Sequence, residues 1–218
     1  MKKVLGCGAV MVIVLCFTGL VFAGSGHFYK NSNKSGGEKI IGVGGEKSSL
    51  GSWNDKVSSY KIDSGVQCVI TKDGKFGGDY KYYEATSNNH MPSGWNDKVS
   101  SIKCETSTYF NDSYAGDSQF NNICIVYEHA HYAGKSLTVN NDVSINNLKD
   151  KKVGSWNWND KISSVRVGKN IQCDFYKNND CKSQDKLFTL KNGQSKNRLS
   201  RWGHDNQITS IKCYSYSN

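Results

Sequence analysis

A six-residue polar motif occurs four times in this chain, and it constrains the architecture more than any other feature. Each copy begins with two Asn or Asp residues and ends with two hydroxyl residues, with Val or Ile at the fourth position. The copies are residues 54–59, 96–101, 159–164 and 205–210. Their first residues are 42, 63 and 46 positions apart, so two similar steps flank one that is longer by about 20 residues, the length of a linker. This spacing predicts four structural units arranged as two pairs.

The first 23 residues have the organisation of a secretory signal peptide. Lys2 and Lys3 precede an apolar stretch over residues 4–20. Ala23 is a small residue at the end of this segment, so we expect cleavage after it. An uncleaved membrane anchor is the alternative, because the apolar stretch approaches the roughly 20 residues that span a bilayer. No later segment is apolar enough to cross a membrane, so the sequence predicts a protein that is secreted or located in the envelope or periplasm.

Six of the eight cysteines remain after loss of the signal peptide. An even number of cysteines in an exported chain predicts disulfides rather than metal ligands. No Cys-x-x-Cys pair occurs, which argues against a zinc site or a redox motif. The remaining cysteines are Cys68, Cys104, Cys124, Cys173, Cys181 and Cys213.

The mature chain is basic, since loss of Lys2 and Lys3 leaves 26 basic and 19 acidic residues and a net charge of +7. Such a charge favours anionic surfaces such as cell-wall polymers, acidic glycans or lipid head groups. The lysines are scattered rather than clustered, however, which is typical of ordinary solvent-facing positions. We therefore keep an anionic cell-surface polymer as an alternative partner, and we expect a monomer with no nucleic-acid partner.

A short alternating run of apolar, basic and apolar residues follows each motif, and this period is typical of a half-buried strand. It predicts that the central basic residues lie on the solvent-exposed face. Glycine, asparagine and serine interrupt the chain every 8 to 12 residues or so, as in an all-β sandwich. The four central basic residues are Lys61, Lys103, Arg166 and Lys212. A tryptophan precedes each motif, and we expect these rings to be core anchors: Trp53, Trp95, Trp158 and Trp202.

A second repeated element lies upstream of each motif and is clearest in the third unit. There, Tyr127 and Tyr132 are five residues apart and Gly134 follows two residues later. The fourth unit departs most, with Cys181 and Ser183 where an aromatic residue and a glycine belong. Together with the six-residue motif, this element resembles the Greek-key motif of the βγ-crystallin superfamily, in which the motif's last serine ties down a folded hairpin.

The resemblance implies an all-β protein with two βγ-crystallin-like double Greek-key β-sandwich domains. It places the first domain at residues 27–105 and the second at residues 122–218. Residues 106–121 then form a linker, in which residues 109–116 repeat the aromatic hairpin spacing without a polar motif of their own. This segment is either a vestigial repeat or a hairpin packed between the domains.

In microbial members of this superfamily the six-residue motif is a calcium site, and the residue types agree with that chemistry. Calcium takes about 6 to 8 oxygen ligands from carboxylates, carbonyls, hydroxyls and water. The resemblance implies ligands from the side chains at positions one and two, the carbonyl at position three, the hydroxyl at position five, and one hairpin carbonyl. It predicts up to four Ca²⁺ sites, two per domain, and the fourth is the weakest because its hairpin is the most degraded.

The predicted motif ligands are Asn54, Asp55, Lys56, Ser58, Asn96, Asp97, Lys98, Ser100, Asn159, Asp160, Lys161, Ser163, Asp205, Asn206, Gln207 and Thr209. The predicted hairpin carbonyls are those of Lys30, Lys72, Glu128 and Lys177. A structural alternative is ordinary turn chemistry, since Asn, Asp and Ser are common turn residues and lens-type relatives keep the fold without calcium.

Matching positions in the second and fourth units suggest two disulfides, Cys68 with Cys104 and Cys173 with Cys213, which leaves Cys124 with Cys181. The alternative joins Cys173 to Cys181 and Cys124 to Cys213. His129 and His131 alternate along a hairpin without an evident third metal ligand, so we interpret them as exposed hairpin residues.

We expect no enzymatic activity, because neither a Ser-His-Asp order nor paired carboxylates stand in a recognisable frame. The leading hypothesis is a secreted, non-catalytic calcium-binding protein in which calcium stabilises the fold or its interactions. A peptidase inhibitor or toxin is one alternative, since residues 124–134 and 159–167 are similar to secreted βγ-crystallin-like peptidase inhibitors, and a protease would then be the partner. An envelope or glycan-binding module is another, because we expect Tyr80, Tyr82 and Tyr83 to be exposed.

Overall fold

A computed structural model describes residues 24–107, 109–110 and 120–217. The predicted signal peptide, residues 1–23, lies outside the described residues. Within the described residues there are strands and short 3₁₀ turns but no α-helix, and no helix is long and apolar enough to cross a bilayer. The 3₁₀ turns are Ser32–Lys34, Gly51–Trp53, Leu148–Asp150, Asn179–Cys181, Ser183–Asp185 and Leu199–Trp202.

The strands fall into an N-terminal and a C-terminal group. The first group comprises β1 (Ser25–Asn31), β2 (Ser35–Gly42), β3 (Glu46–Lys47), β4 (Ser59–Ile62), β5 (Val66–Thr71), β6 (Tyr80–Glu84), β7 (Ser87–Asn88) and β8 (Ser101–Thr106). The second comprises β9 (Ile123–His129), β10 (Ala133–Asn140), β11 (Ser144–Ile145), β12 (Lys152–Val153), β13 (Trp156–Asn157), β14 (Ser164–Val167), β15 (Ile171–Tyr176), β16 (Lys186–Lys191), β17 (Ser195–Lys196) and β18 (Ser210–Ser215).

Each group forms two antiparallel four-stranded sheets that exchange one short strand. The N-terminal sheets have the strand orders β2-β1-β4-β7 and β3-β8-β5-β6. The C-terminal sheets have the orders β10-β9-β14-β17 and β11-β18-β15-β16, and β12 pairs with β13 in a separate ribbon. Every four-stranded sheet therefore takes three strands from one repeated unit and one strand from the partner unit. This double Greek-key exchange, found in both groups, confirms the predicted fold class.

Each domain has its own hydrophobic core between its two sheets. Phe28, Ile70 and Ile102 are fully buried in the first core, and Leu148 and Ile208 are fully buried in the second. Because each core draws apolar residues from both units of its domain, neither unit can bury its apolar face alone.

Two of the three predicted disulfides are confirmed. Cys68 and Cys104 are opposite each other in β5 and β8, and Cys173 and Cys213 are opposite each other in β15 and β18. The third pairing and its alternative are wrong, since Cys124 and Cys181 are free thiols. Cys124 lies inside the C-terminal core on β9, where its sulfur is within 4.8 Å of both sulfurs of the Cys173–Cys213 disulfide. The six cysteines therefore form two bridges and leave two free thiols, one of them buried beside a bridge.

The folded hairpin before each motif is fixed by the motif's last serine, as the resemblance implied. In the first unit the Ser59 hydroxyl donates to the Asn31 carbonyl at 2.6 Å and accepts from the Lys34 backbone N–H at 3.0 Å. The equivalent hydroxyls in the other units are those of Ser101, Ser164 and Ser210. All four serines are fully buried, so each hairpin is tied to the sheet by a hydroxyl that water does not reach.

The prediction for the central basic residues is correct in the outer units and wrong in the inner ones. Lys61 and Lys212 are exposed, whereas Lys103 is 6% exposed and Arg166 only 1%. The Lys103 ammonium donates to the Tyr132 carbonyl at 2.8 Å. The two buried residues lie where the second and third units pack together, so the contact between domains removes them from solvent.

The same contact buries other side chains that the sequence suggested were exposed. His131 is fully buried, and its Nδ1 is hydrogen-bonded to the Tyr82 hydroxyl at 2.7 Å. Tyr80, Tyr82 and His129 are half-buried rather than exposed. Tyr83 is half-buried too, but against the N-terminal core, where its ring packs on Tyr60.

Two of the linker aromatics that the structure describes, Tyr109 and Phe110, together contact both domains. The Tyr109 ring packs on Tyr132, and the buried Phe110 packs on Tyr82. This contact favours a segment packed between the domains, while the rest of the hairpin-like segment lies outside the described residues.

One tryptophan prediction is also wrong. Trp95 and Trp158 are buried and Trp53 is half-buried, but Trp202 is 60% exposed. Trp202 ends a 3₁₀ turn that a left-handed Gly203 terminates, and this turn holds the indole outside the core. The predicted domain boundaries, residues 27–105 and 122–218, stay a prediction.

Candidate metal centres

Within each domain the two polar motifs meet in crossed pairs. The fifth-position hydroxyl of one motif lies beside the second-position side-chain oxygen of the other. The four hydrogen bonds are Ser58 Oγ to Asp97 Oδ1 at 2.8 Å, Ser100 Oγ to Asp55 Oδ1 at 3.4 Å, Ser163 Oγ to Asn206 Oδ1 at 3.5 Å and Thr209 Oγ1 to Asp160 Oδ1 at 3.3 Å. Each pair therefore joins two units through oxygen atoms alone.

The backbone sets up these crossed pairs in the same way four times. The N–H of each second-position residue donates to the carbonyl of the fourth-position residue in the partner motif, as Asp55 does to Val99 at 3.0 Å. The other three bonds run from Asp97 to Val57, Asp160 to Ile208 and Asn206 to Ile162, each at 3.1 Å. Every second-position residue is left-handed, with φ between 51° and 53°. Asp and Asn tolerate this region better than other residues with a side chain, so the turn itself favours an oxygen-bearing side chain.

The folded hairpins are attached to the same loops. The N–H of each fifth-position residue donates to the carbonyl of the first hairpin residue, at 2.9 Å in all four units. Those acceptors are Tyr29, Thr71, Tyr127 and Tyr176. Each lies directly before a residue whose carbonyl the sequence predicts as a ligand, namely Lys30, Lys72, Glu128 and Lys177. The predicted hairpin carbonyls therefore follow immediately after the points where hairpin and loop join.

In the first three motifs the first-position side chain is hydrogen-bonded to the second-position side chain that follows it. The amides of Asn54, Asn96 and Asn159 donate to the Oδ2 atoms of the following aspartates at 2.8, 2.8 and 2.6 Å. In the fourth motif the direction reverses, and the Asn206 amide donates to Asp205 at 3.1 Å. These bonds orient the second-position group, so the first position prepares the loop whether or not it supplies a ligand itself.

The third-position residues are arranged so that their backbone carbonyls, rather than their side chains, can serve as ligands. The side chains of Lys56, Lys98 and Lys161 are exposed, and the Lys56 ammonium is bonded to the Ser52 carbonyl at 3.0 Å. Among the described residues, no hydrogen bond reaches the backbone carbonyls of Lys56, Lys98, Lys161 or Gln207. One further oxygen, Asn159 Oδ1, is buried without a hydrogen-bond partner in the described part of the chain.

The donor set of each loop fits calcium. It consists of a hydroxyl, a carboxylate or amide oxygen and unengaged carbonyls, without nitrogen or sulfur, and these are the ligands that a hard divalent cation takes. Asp97, Asp55 and Asp160 supply a carboxylate to the first, second and fourth pairs, while Asn206 gives the third pair only a neutral amide oxygen. The third pair is thus the least acidic of the four at this position.

The C-terminal pairs open onto clefts of different kinds. The fourth pair lies in a cleft of about 740 Å³ that Asp180 and Asp185 also line. The third pair lies in a cleft of about 500 Å³ whose opposite wall, Gly74 to Gly78, belongs to the N-terminal domain. Because of this wall, the third pair is the one whose surroundings depend on how the domains pack.

Sequence reasoning missed the charged groups that the domain contact buries. Burial, aided by Arg198 and Arg201, lowers the pKa of His131 to about 3, so this imidazole is neutral at physiological pH. Desolvation raises the pKa of Glu105, with Lys103 opposing the shift. The Arg166 guanidinium lies 3.7 Å from the centre of the Tyr132 ring. No local signal distinguishes these residues, since Lys103 and Arg166 follow the same alternation as their exposed counterparts.

Comparison with solved structures finds several βγ-crystallin domains that are similar to part of this chain. A βγ-crystallin domain from Flavobacterium johnsoniae is 30% identical over 38% of this chain and 94% of that chain, with a TM-score of 0.34. A double mutant of a βγ-crystallin domain from Clostridium beijerinckii is 25% identical over 37% of this chain and 96% of that chain, with a TM-score of 0.34. A βγ-crystallin from Ciona intestinalis is 23% identical over 37% of this chain and 98% of that chain, with a TM-score of 0.33.

The model of Peptidase inhibitor family I36 matches residues 111–188, which is less than half of the chain. No curated protein matches. The exchanged strands, the serine-tied hairpins and the crossed polar loops define a protein of paired Greek-key units. With the sequence identity to a microbial βγ-crystallin domain, they show that the chain belongs to the βγ-crystallin superfamily.

Proposed function

We propose that this protein is an exported, non-catalytic calcium-binding protein in which Ca²⁺ binds between the paired loops of each domain. The observation that carries the proposal is the crossed contact between a fifth-position hydroxyl and a second-position oxygen, repeated four times. A cation bound there adds a link between two units that already share a core, exchanged strands and backbone hydrogen bonds between their motifs. The domains that we propose extend over residues 27–105 and 122–218.

Calcium would act chiefly on stability. A ligand that binds only the folded state stabilises it by about 2.7 kcal/mol when its free concentration is 100 times its dissociation constant. Two sites per domain would add their effects if both were filled. The third-position lysines oppose binding through charge repulsion, but their exposure to solvent weakens this term.

Calorimetry and thermal melting of the mature protein, in calcium and in chelator, test the proposal. We expect heat on calcium addition and a higher melting temperature in calcium. Ser100→Arg should remove binding at the Ser100–Asp55 pair of the N-terminal domain and leave the C-terminal sites intact, with Ser100→Ala as the milder variant. Ser93→Arg is the matched control, since Ser93 is an exposed serine shortly before the same motif. Equal melting temperatures in calcium and chelator would contradict the proposal.

A second candidate function is peptidase inhibition by the C-terminal domain. The family match over residues 111–188 favours it, because this range contains the complete third unit. Titration of the mature protein against secreted metallo- and serine proteases would test it, with Ser163→Arg as a variant altered in that unit. Unchanged protease rates across the panel would argue against inhibition and would leave the calcium proposal untouched.

A further inference from the structure

Two adjoining clefts lie at the contact between the domains, and of their lining residues only Arg198 also lines the cleft of the third pair. The larger, of about 490 Å³, brings Tyr80 and Lys81 of the N-terminal domain next to Arg198 and Arg201 of the C-terminal domain. The smaller, of about 240 Å³, is lined by Trp202 and shares Arg201 with the first. We call the two together the basic cleft. None of its lining residues is a predicted calcium ligand, so it is a separate feature of the molecule.

Three of the cations that line the basic cleft form no ion pair within the described part of the chain. Among the described residues, neither Lys81 nor Arg198 nor Arg201 forms a salt bridge. Asp79 is the only acidic residue that lines the cleft, and its carboxylate is paired with Lys72 outside the cleft at 3.1 Å. The domain contact therefore brings the charges of Lys81, Arg198 and Arg201 together without a salt bridge to any of the three in the described residues.

Aromatic contacts hold the two guanidinium groups in place. Their central carbons lie 5.3 Å (Arg198) and 5.1 Å (Arg201) from the centre of the Tyr80 ring, within the range of a cation–π contact. The Arg198 Nε donates to the Ser200 hydroxyl at 2.8 Å. A guanidinium has five N–H donors in a rigid fork, so both groups keep donors for a carboxylate or sulfate.

Trp202 adds an apolar surface beside these donors. It is one of three large apolar side chains that are well exposed in the described residues, with Ile40 and Val143. The Lys196 ammonium lies 3.3 Å from the centre of its ring, which fixes the indole at the edge of the cleft. An exposed indole is a surface on which an apolar ring face can pack, with its N–H left for a polar partner.

We propose that the basic cleft binds an anionic polysaccharide whose sugars carry carboxylate or sulfate groups. A sugar ring packs on Trp202, and Arg198 and Arg201 bind the adjacent acidic group in bidentate fashion. A sugar's hydroxyls also suit the uncharged polar groups of Ser195 and Asn197, which line the smaller cleft. These two residues favour a polyhydroxylated ligand over a polyphosphate. Binding needs the two domains packed as they are, because each wall of the larger cleft comes from a different domain.

The test is calorimetric titration of the full mature protein, in chelator, with oligogalacturonate and with heparin oligosaccharide. Neutral dextran and single-stranded oligothymidylate are the comparison ligands. We expect one or both acidic saccharides to bind and dextran not to bind. Arg198→Ala with Arg201→Ala should weaken binding on the order of 100-fold, since each arginine makes charge-assisted hydrogen bonds. Trp202→Ala should weaken it about 10-fold, and because the indole is exposed, this variant should fold normally.

Two controls distinguish a specific binding site from nonspecific electrostatic attraction between the basic protein and an anionic ligand. Arg198→Lys with Arg201→Lys keeps the charge but loses the planar fork and the stacking, so it should bind almost as weakly as the alanine pair. Lys169→Ala with Lys212→Ala removes the same charge from exposed residues outside the cleft and should leave binding unchanged. The proposal would be overturned if the lysine pair bound fully, or if the Lys169 and Lys212 control lost as much binding as the alanine pair. It would also be overturned if oligothymidylate bound more tightly than either saccharide, or if no saccharide bound. Because chelator is present throughout, none of these results depends on the calcium sites.

Discussion

The two domains share a topology and a cross-strand disulfide, but they differ at one position beside that disulfide. In the N-terminal domain the position is Gly26, where an added Cβ atom would lie 2.5 Å from the Cys68 sulfur and 2.7 Å from the Cys104 sulfur. In the C-terminal domain the equivalent residue is Cys124, whose sulfur lies within 4.8 Å of Cys173 and Cys213. One core makes room for its disulfide by omitting a side chain, while the other holds a third sulfur against it.

A second difference runs across the domains and separates inner units from outer ones. Lys103 and Arg166 belong to the units that meet at the domain contact and are buried, while Lys61 and Lys212 belong to the outer units and are exposed. The same local pattern therefore has opposite outcomes, because burial is decided by the packing of the domains rather than by the strand itself.

The largest expected effect distinguishes the two disulfides. Cys104→Ala should leave Cys68 unpaired beside Gly26 and lower the free energy of unfolding by about 3 to 4 kcal/mol. Cys213→Ala should cost less in oxidising buffer, because Cys173 can pair with the neighbouring Cys124. Denaturant unfolding measures the costs, and peptide mapping under non-reducing conditions should show a Cys124–Cys173 bond. Free thiols at all of Cys124, Cys173 and Cys181 in the Cys213→Ala variant would show that the third sulfur cannot substitute.

A slightly smaller effect tests whether Lys103 in an inner unit contributes more to stability than Lys61 in an outer unit. Lys103→Met should lower the free energy of unfolding by about 3 kcal/mol, because it leaves the half-buried Glu105 without the cation that lies 3.4 Å away. Lys61→Met is the matched change in an outer unit, where the exposed ion pair with Asp63 contributes less than about 1 kcal/mol. Both values come from chemical denaturation at neutral pH. Equal losses in the two variants would contradict the distinction between the units.

Acidification should act first on the domain contact. The folded pKa of His131, about 3, lies below its unfolded value of about 6.5, so its stabilising contribution is complete above pH 6.5 and is lost as the pH falls. The slope is at most about 1.4 kcal/mol per pH unit for one proton. Hydrogen bonds from Lys61 and His27 lower the pKa of Asp63 to about 2, so its contribution is lost only below about pH 4.

Unfolding measurements from pH 7 to 3, with His131→Gln beside the parent protein, check this order of events. The variant should lose less stability than the parent between pH 6.5 and 4.5, whereas Asp63→Asn should differ from the parent only at lower pH. Parallel curves for the parent and His131→Gln would contradict the assignment to His131.

The sequence could predict the fold and the pairing of the loops, because both follow from a motif that repeats in register. The crossed contact of Ser58 with Asp97 was not predicted, because it depends on how the two units of a domain pack against each other. The burial of Lys103 could not be predicted, since its alternating strand is indistinguishable from that of the exposed Lys61. The number of cysteines favoured a third bridge, but strand register places Cys124 in the core beside an existing disulfide. Trp202 resembles the buried tryptophans in spacing, and only its turn removes it from the core.

The smallest effect concerns the calcium loops, where the domains differ in one second-position group, a carboxylate in the first pair and an amide in the third. Asp97 gives the first pair a carboxylate and Asn206 gives the third pair an amide. If the loops bind Ca²⁺, Asn206→Asp should raise the affinity of the third site about 10-fold, because one added ligand charge contributes on the order of 1.4 kcal/mol near the surface. Asp97→Asn should lower the affinity of the first site by a similar factor. Calorimetric titration of both variants at constant salt measures the two shifts, and the tighter-binding domain should change from N-terminal to C-terminal when the substitutions are combined. Unchanged affinities would mean that the second-position oxygen serves the fold of the loop rather than a cation.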